Sequence, residues 1–305
     1  MKAIITLVLF LSVLVGCTNG KENKSEQMNN QNQTTDLKEL DSADKTDIIN
    51  SDNQSSEEMT TKVDSLNYQD YVFELYKTET TEGEYNYIKM KFTGYKNGKK
   101  IVELESETPY LEMTIKGKDI NGNSIPDIVL TNYTGGAHCC FEMFIFELGK
   151  KFKQLVELSG DNEPRLEDLD DDGIPEIIHS SSVFTYWHVS FAGSYLPQYV
   201  LKFKDGSYRL AKELMKKPAP DDSSLRQVAA SIKLDDTPWG ASEDFFEDPA
   251  LFARMLELIF AGNIDAAWKF LDYAWPETKP GKEKFKEDFI KQLSTFEYWD
   301  ELKKW

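Results

Sequence analysis

Alternating and uninterrupted apolar runs divide the chain into a strand-rich part and a helical part. Residues 71–76, 85–92 and 100–104 carry β-branched and aromatic side chains with partial period-two alternation, the pattern of half-buried strands. Residues 141–148, 153–158, 198–203 and 207–210 continue it. Lys96-Asn97-Gly98-Lys99 places Asn-Gly between two such runs, and Lys204-Asp205-Gly206-Ser207 places Asp-Gly between two others. Both predict tight hairpins, because these residues accept the positive φ angles of a two-residue turn.

After about Glu213 the apolar period lengthens to that of a helix. Pro218-Ala219-Pro220 marks the change as a linker, and Asp221-Asp222-Ser223-Ser224 reads as an N-cap region for a helix over 225–234. Leu251, Phe252, Met255, Leu256, Ile259 and Phe260 share one helix face that stops at Gly262-Asn263. Asp265 opens a further helix with Ala266, Ala267, Phe270 and Leu271 inward, and Phe285, Phe289, Leu293 and Phe296 mark another. The helix, Gly-Asn turn and Ala-rich helix fit a single tetratricopeptide-type hairpin or an ordinary helical cap packed on the sheets.

The N-terminal pattern is different. Met1-Lys2 is followed by an uncharged apolar run over 3–15, the length of a signal-peptide core and short for a bilayer span. Leu14-Val15-Gly16-Cys17 resembles the bacterial lipobox. The resemblance implies cleavage after Gly16, acyl chains on Cys17 and attachment to a membrane of the cell envelope on its extracytoplasmic side. Residues 18–62 are rich in Asn, Gln, Ser, Thr, Asp, Glu and Lys, too polar to offset the entropy of ordering. The expected organisation is a signal peptide over 1–16, an anchored disordered tether over 17–65, a β-rich domain over 66–214 and a helical region over 215–305.

Composition changes the picture in two ways. The net charge of −18 opposes nucleic acid and anionic lipid surfaces, so a nucleic-acid partner is excluded. With Cys17 assigned to lipid, only the adjacent Cys139 and Cys140 remain, so no disulfide framework can support the fold and the core must do so.

A repeat carries the most chemistry. Asp119-Ile-Asn121-Gly-Asn123-Ser-Ile125-Pro-Asp127-Ile matches Asp168-Leu-Asp170-Asp-Asp172-Gly-Ile174-Pro-Glu176-Ile at a constant offset of 49 residues. Oxygen-bearing side chains stand at loop positions 1, 3, 5 and 9, and the residue at position 7 can offer its carbonyl. Calcium takes about six to eight oxygens, and alternate side chains on a tight loop can converge on one centre. Magnesium wants a stricter octahedron, and transition metals want imidazole or thiolate, which neither loop has. Simple Asx turns between strands are the alternative. Loop two offers four carboxylates and a glycine at position 6, whereas loop one offers two carboxylates, two asparagines and Ser124 there. Ligand charge therefore ranks loop two as the tighter site.

These loops resemble the calcium loops of the FG-GAP/VCBS repeat families, as in integrin β-propeller blades. The resemblance implies ligands at Asp119, Asn121, Asn123 and Asp127, with the Ile125 carbonyl, and at Asp168, Asp170, Asp172 and Glu176, with the Ile174 carbonyl. The Phe-Gly pair expected ahead of each loop is missing from both copies. Gly135-Gly136-Ala137-His138-Cys139-Cys140 is similar to a string in exported bacterial proteins that carry such repeats. A period of about 50 residues suits a four-stranded blade. Residues 66–214 hold roughly three, fewer than the four to eight of a closed propeller. The expectation is an open stack of small antiparallel sheets capped by the C-terminal helices.

Cys139 and Cys140 can form a vicinal disulfide, remain buried thiols, or join His138 in a soft-metal or redox site. The aromatic run 184–195 fits core packing or a sugar platform. The chain has no nucleophile elbow, phosphate loop or zinc-protease helix. The resulting reading is a calcium-binding module for a protein or glycan partner at the cell envelope. A hydrolase with a cleft near the loops, and a metal or redox handler built on His138, Cys139 and Cys140, are the alternatives.

Overall fold

The computed structural model describes residues 57–137, 139–241 and 248–305. The expected signal peptide, Cys17, most of the tether and His138 lie outside these residues.

Among the described residues, twelve strands form three antiparallel sheets of four. The first holds β1 (Glu57–Tyr68), β2 (Tyr71–Glu82), β3 (Tyr85–Lys96) and β4 (Lys99–Ser106) in chain order. The second holds β5 (Glu112–Lys118), β6 (Asp127–Tyr133), β7 (Phe141–Leu148) and β8 (Phe152–Gly160), again in chain order. The third holds β9 (Arg165–Glu167), β10 (Glu176–Ser180), β11 (Gln198–Lys204) and β12 (Ser207–Leu210). Each is a meander, and none closes into a barrel. The fold class is the expected one: open, mainly β, with helices in the C-terminal part.

The second sheet explains the uninterrupted apolar runs of its strands. Ile128, Leu130, Phe144, Phe146 and Leu148 pack with Tyr71, Phe73 and Phe92 of the first sheet. Their neighbours Val129, Met143 and Ile145 belong instead to the core shared with Ile177 and Leu201 of the third sheet. Successive strand residues point to opposite faces, so a strand covered on both sides must be apolar at every position. A fully buried phenylalanine such as Phe146 contributes about 2–3 kcal/mol through removal from water.

Strand β1 starts at Glu57, inside the stretch expected to be tether. Its first seven residues are exposed, and of its apolar side chains only Leu66 and Tyr68 pack against the core. The strand exists because its backbone pairs with β2 from Glu57 opposite Thr81 to Tyr68 opposite Tyr71. Pairing of this kind leaves little trace in side-chain polarity.

The helices described after the third sheet are α1 (Lys212–Met215), α2 (Asp222–Ala229), α3 (Pro249–Phe260), α4 (Ile264–Ala274), α5 (Lys282–Leu293) and α6 (Trp299–Leu302). Asp221 caps α2 by accepting from the Ser224 amide at 2.8 Å. Helix α2 ends at Ala229, short of the expected Leu234. Asp248 caps α3, whose first residue is Pro249. Gly262 ends α3 at φ +80°, where a Cβ would lie 2.6 Å from the Trp305 ring. Leu225, Leu251 and Phe289 share a core with Leu201 and Leu210, so the helices cap the third sheet. None of the described helices is long and apolar enough to cross a membrane.

Candidate metal centre

Both acidic loops join the first two strands of their sheet: loop one leads from β5 into β6, and loop two leads from β9 into β10. They share one backbone. Position 4 has positive φ in both, at Gly122 (76°) and Asp171 (59°), and so does position 6, at Ser124 (64°) and Gly173 (85°). Each loop therefore has one glycine and one strained non-glycine residue, so Gly173 does not make loop two the cheaper turn.

The hydrogen bonds repeat as well. The position-1 carboxylate accepts from the position-6 amide, Asp119 from Ser124 at 2.7 Å and Asp168 from Gly173 at 2.8 Å. The position-5 side chain accepts from the position-7 amide at 2.8 Å in both, Asn123 from Ile125 and Asp172 from Ile174. The position-9 carboxylate accepts from the position-2 amide, Asp127 from Ile120 at 3.0 Å and Glu176 from Leu169 at 2.9 Å. Both position-9 carboxylates are fully buried. These bonds orient the side chains, and they also serve an Asx turn without metal. The loops lie side by side: a Cβ on Gly122 would meet the Ile174 side chain at 3.1 Å.

In loop two, oxygens of Asp168, Asp170 and Glu176 lie within 4.8 Å of one another. The Lys202 ammonium sits among the carboxylates, 2.6 Å from Asp170, 2.7 Å from Asp172 and 3.1 Å from Glu176 Oε1. Hydrogen bonds donated to Asp170 and Asp172 hold Lys202 charged far above the ordinary lysine range. The same contact holds Asp172 below the usual carboxylate range. The contact with Glu176 is an ion pair without hydrogen-bond geometry, and Glu176 Oε1 has no hydrogen-bond partner among the described residues.

Loop one is arranged differently. The Asn121 amide donates to Asp127 Oδ1 at 3.3 Å, and the Asn123 amide donates to Glu147 on β7. Among the described residues, no lysine, arginine or histidine makes an ion pair with Asp119, Asp127 or Glu147. Burial pushes the Asp127 carboxyl up to about 7, and the charges of Asp119 and Glu147 push the same way. Glu147 and Lys202 were not legible as site residues. The only trace of Lys202 is a single charge within the apolar strand Tyr199-Val200-Leu201-Lys202-Phe203.

The remaining candidates separate from the loops. Cys139 and Cys140 are joined as a vicinal disulfide, and Thr134 binds the Cys140 amide and carbonyl. Of the aromatic run, Phe184 is buried and Trp187 packs edge-on against Phe184, Phe252 and Phe289. His179 is buried beside Tyr199, and burial lowers its pKa. A cleft of about 440 Å³ lies between β8 and β12, lined by Glu157, Tyr208, Glu297 and Tyr298. Burial raises the Glu297 carboxyl there.

No family model matches the chain. It is 26% identical over 205 residues to a probable thylakoid lumen protein of Synechocystis sp.. The match covers 64% of this chain and 57% of that protein, so the chain spans little more than half of its relative's length.

Proposed function

We propose that the chain is an extracytoplasmic binding or scaffolding module, anchored by lipid at Cys17, in which an acidic loop binds calcium. Three supports bear on this. The N-terminal pattern resembles a lipoprotein signal, the Synechocystis relative is named for a lumenal compartment, and each loop lies between strands of a blade-like meander. The partner class is protein or glycan.

One observation carries the calcium reading. The fully buried Asp127 carboxylate lies opposite Glu147 across the strand pair and feels the like charges of Asp119 and Glu147, and no described basic side chain pairs with any of them. A buried carboxylate without a counter-charge is expensive, and a divalent cation supplies the missing charge. Ligand charge alone ranks loop two first, but that ranking leaves out Lys202, so loop one is the site we assign.

Thermal unfolding of the full chain in calcium and in chelator tests this. At about 1 mM calcium and a dissociation constant near 0.1 mM, binding adds about 1.4 kcal/mol. That corresponds to a rise in Tm of roughly 3–5 °C. Equal melting temperatures in the two conditions would overturn the assignment of calcium to loop one.

A further inference from the structure

We propose that the Lys202 ammonium is the resident cation of loop two and keeps that loop free of calcium. This rests on the calcium reading of loop one.

The argument begins from the shared register of the two sheets. In the second sheet, Asp127 of β6 pairs directly with Glu147 of β7. In the third, the pairing of Ile177 with Leu201 sets Glu176 of β10 opposite Lys202 of β11. The same cross-strand place beside the position-9 ligand thus holds an acid in one sheet and a base in the other. The loops share positive φ at two positions and three internal hydrogen bonds, so beyond the asparagines that stand in loop one for Asp170 and Asp172, this neighbour is what distinguishes their charge.

Lys202 also has the geometry of a plug. Its Nζ reaches Asp170, Asp172 and Glu176 together, spanning positions 3, 5 and 9 of the loop. A cation placed by a rigid strand competes at an effective concentration on the order of millimolar or more, comparable with calcium outside the cell. The fully buried Glu176 Oε1 has the ion pair with Lys202 but no hydrogen bond among the described residues, and the Glu176 carboxylate belongs to the same cluster of oxygens as Asp168 and Asp170. A single ammonium leaves that oxygen without a hydrogen bond, whereas a metal ion could take it as a ligand. Removing the lysine charge should therefore expose a second calcium site made of Asp168, Asp170, Asp172 and Glu176.

Calorimetric titration of chelator-stripped, full-length protein with calcium counts the sites. The expected result is one calcium per chain for the wild type, two for Lys202→Met and one for Lys202→Arg, which retains the cation. Asp168→Ala should remove the extra site from Lys202→Met and leave the wild-type count at one. If Lys202→Met fails to fold without metal, Lys202→Gln serves in its place, since its amide can donate to Glu176. The proposal is overturned if the charge-removing variant stays at the wild-type count, or if Asp168→Ala abolishes binding in the wild type. In the first case the assignment of calcium to loop one survives; in the second, calcium binding survives but its assignment moves to loop two. Binding by the variant but not by the wild type would support the lysine's role and overturn the assignment of calcium to loop one. Binding by neither overturns both.

Discussion

Loop one and loop two are nearly the same object in different surroundings. Positive φ falls at the same two positions, and the same three side chains accept from the same three amides. Yet Asn121 is buried and Asp119 half-buried in loop one, while Asp168 and Asp170 are exposed in loop two. Across the strand, loop one meets Glu147 and loop two meets Lys202. The pair teaches that a ligand pattern specifies where oxygens point, and the neighbouring strand specifies what charge they answer to.

The largest test of this contrast is a pair of alanine substitutions in chelator. Lys202→Ala leaves the buried Glu176 carboxylate without its cation. One-sided removal from a buried ion pair costs about 3–5 kcal/mol, and the partial exposure of Lys202 places the expected loss near the lower end. Glu147→Ala removes a like charge from beside Asp127 and should leave the calcium-free protein equally or more stable. Urea denaturation of both variants measures the difference. Destabilisation of similar size in both would break the comparison.

The two loops should also respond to pH in opposite directions. Asp127 titrates near 7 in the fold against 3.8 as its ordinary value. A carboxyl raised on folding stabilises when protonated, so its contribution is complete below about pH 4 and lost as pH rises through about 7. Calcium-free protein should therefore melt at lower temperature at about pH 8 than at about pH 5, and Asp127→Asn should flatten that slope. Calcium favours the ionised form, so its stabilising effect should grow over the same interval. In loop two, Lys202 holds Asp172 low, so that contribution is present near neutrality and lost only as pH falls into the acid range. A calcium-free stability that rises between pH 5 and 8 and is indifferent to Asp127→Asn would contradict this account of loop one.

The smallest effect sharpens the contact between the loops. Gly122→Ala and Gly173→Ala each force a side chain into positive φ, at a cost of about 1 kcal/mol. Only the Gly122 variant also presses on Ile174; nothing lies within 4 Å of a Cβ on Gly173. Gly122→Ala should lower Tm more, and the reverse order would mean that the loops do not bear on one another.

Much of the architecture is legible from local pattern. The Asn97-Gly98 and Asp205-Gly206 hairpins join β3 to β4 and β11 to β12 as their turn chemistry predicts. The helix stop at Gly262 follows from its positive φ. Strand β1 was hidden because its polar residues owe their conformation to the backbone of β2. Short strands β5 and β9 were hidden because each is defined by pairing to the strand after a loop.

What the sequence alone determined is therefore most of the segments, β1, β5 and β9 excepted, and the two oxygen-bearing loops, because periodicity, turn residues and Asp/Asn spacing act within a few residues of one another. The tertiary structure decided which charge faces each loop. The 49-residue offset carries Asp127 onto Glu176 but carries Glu147 onto Leu196, not onto Lys202. The connection between β10 and β11 is longer than that between β6 and β7, and it contains the aromatic run that packs under the helices. Strand pairing restores the register that the sequence offset loses, because backbone hydrogen bonds align strands irrespective of the length of chain between them.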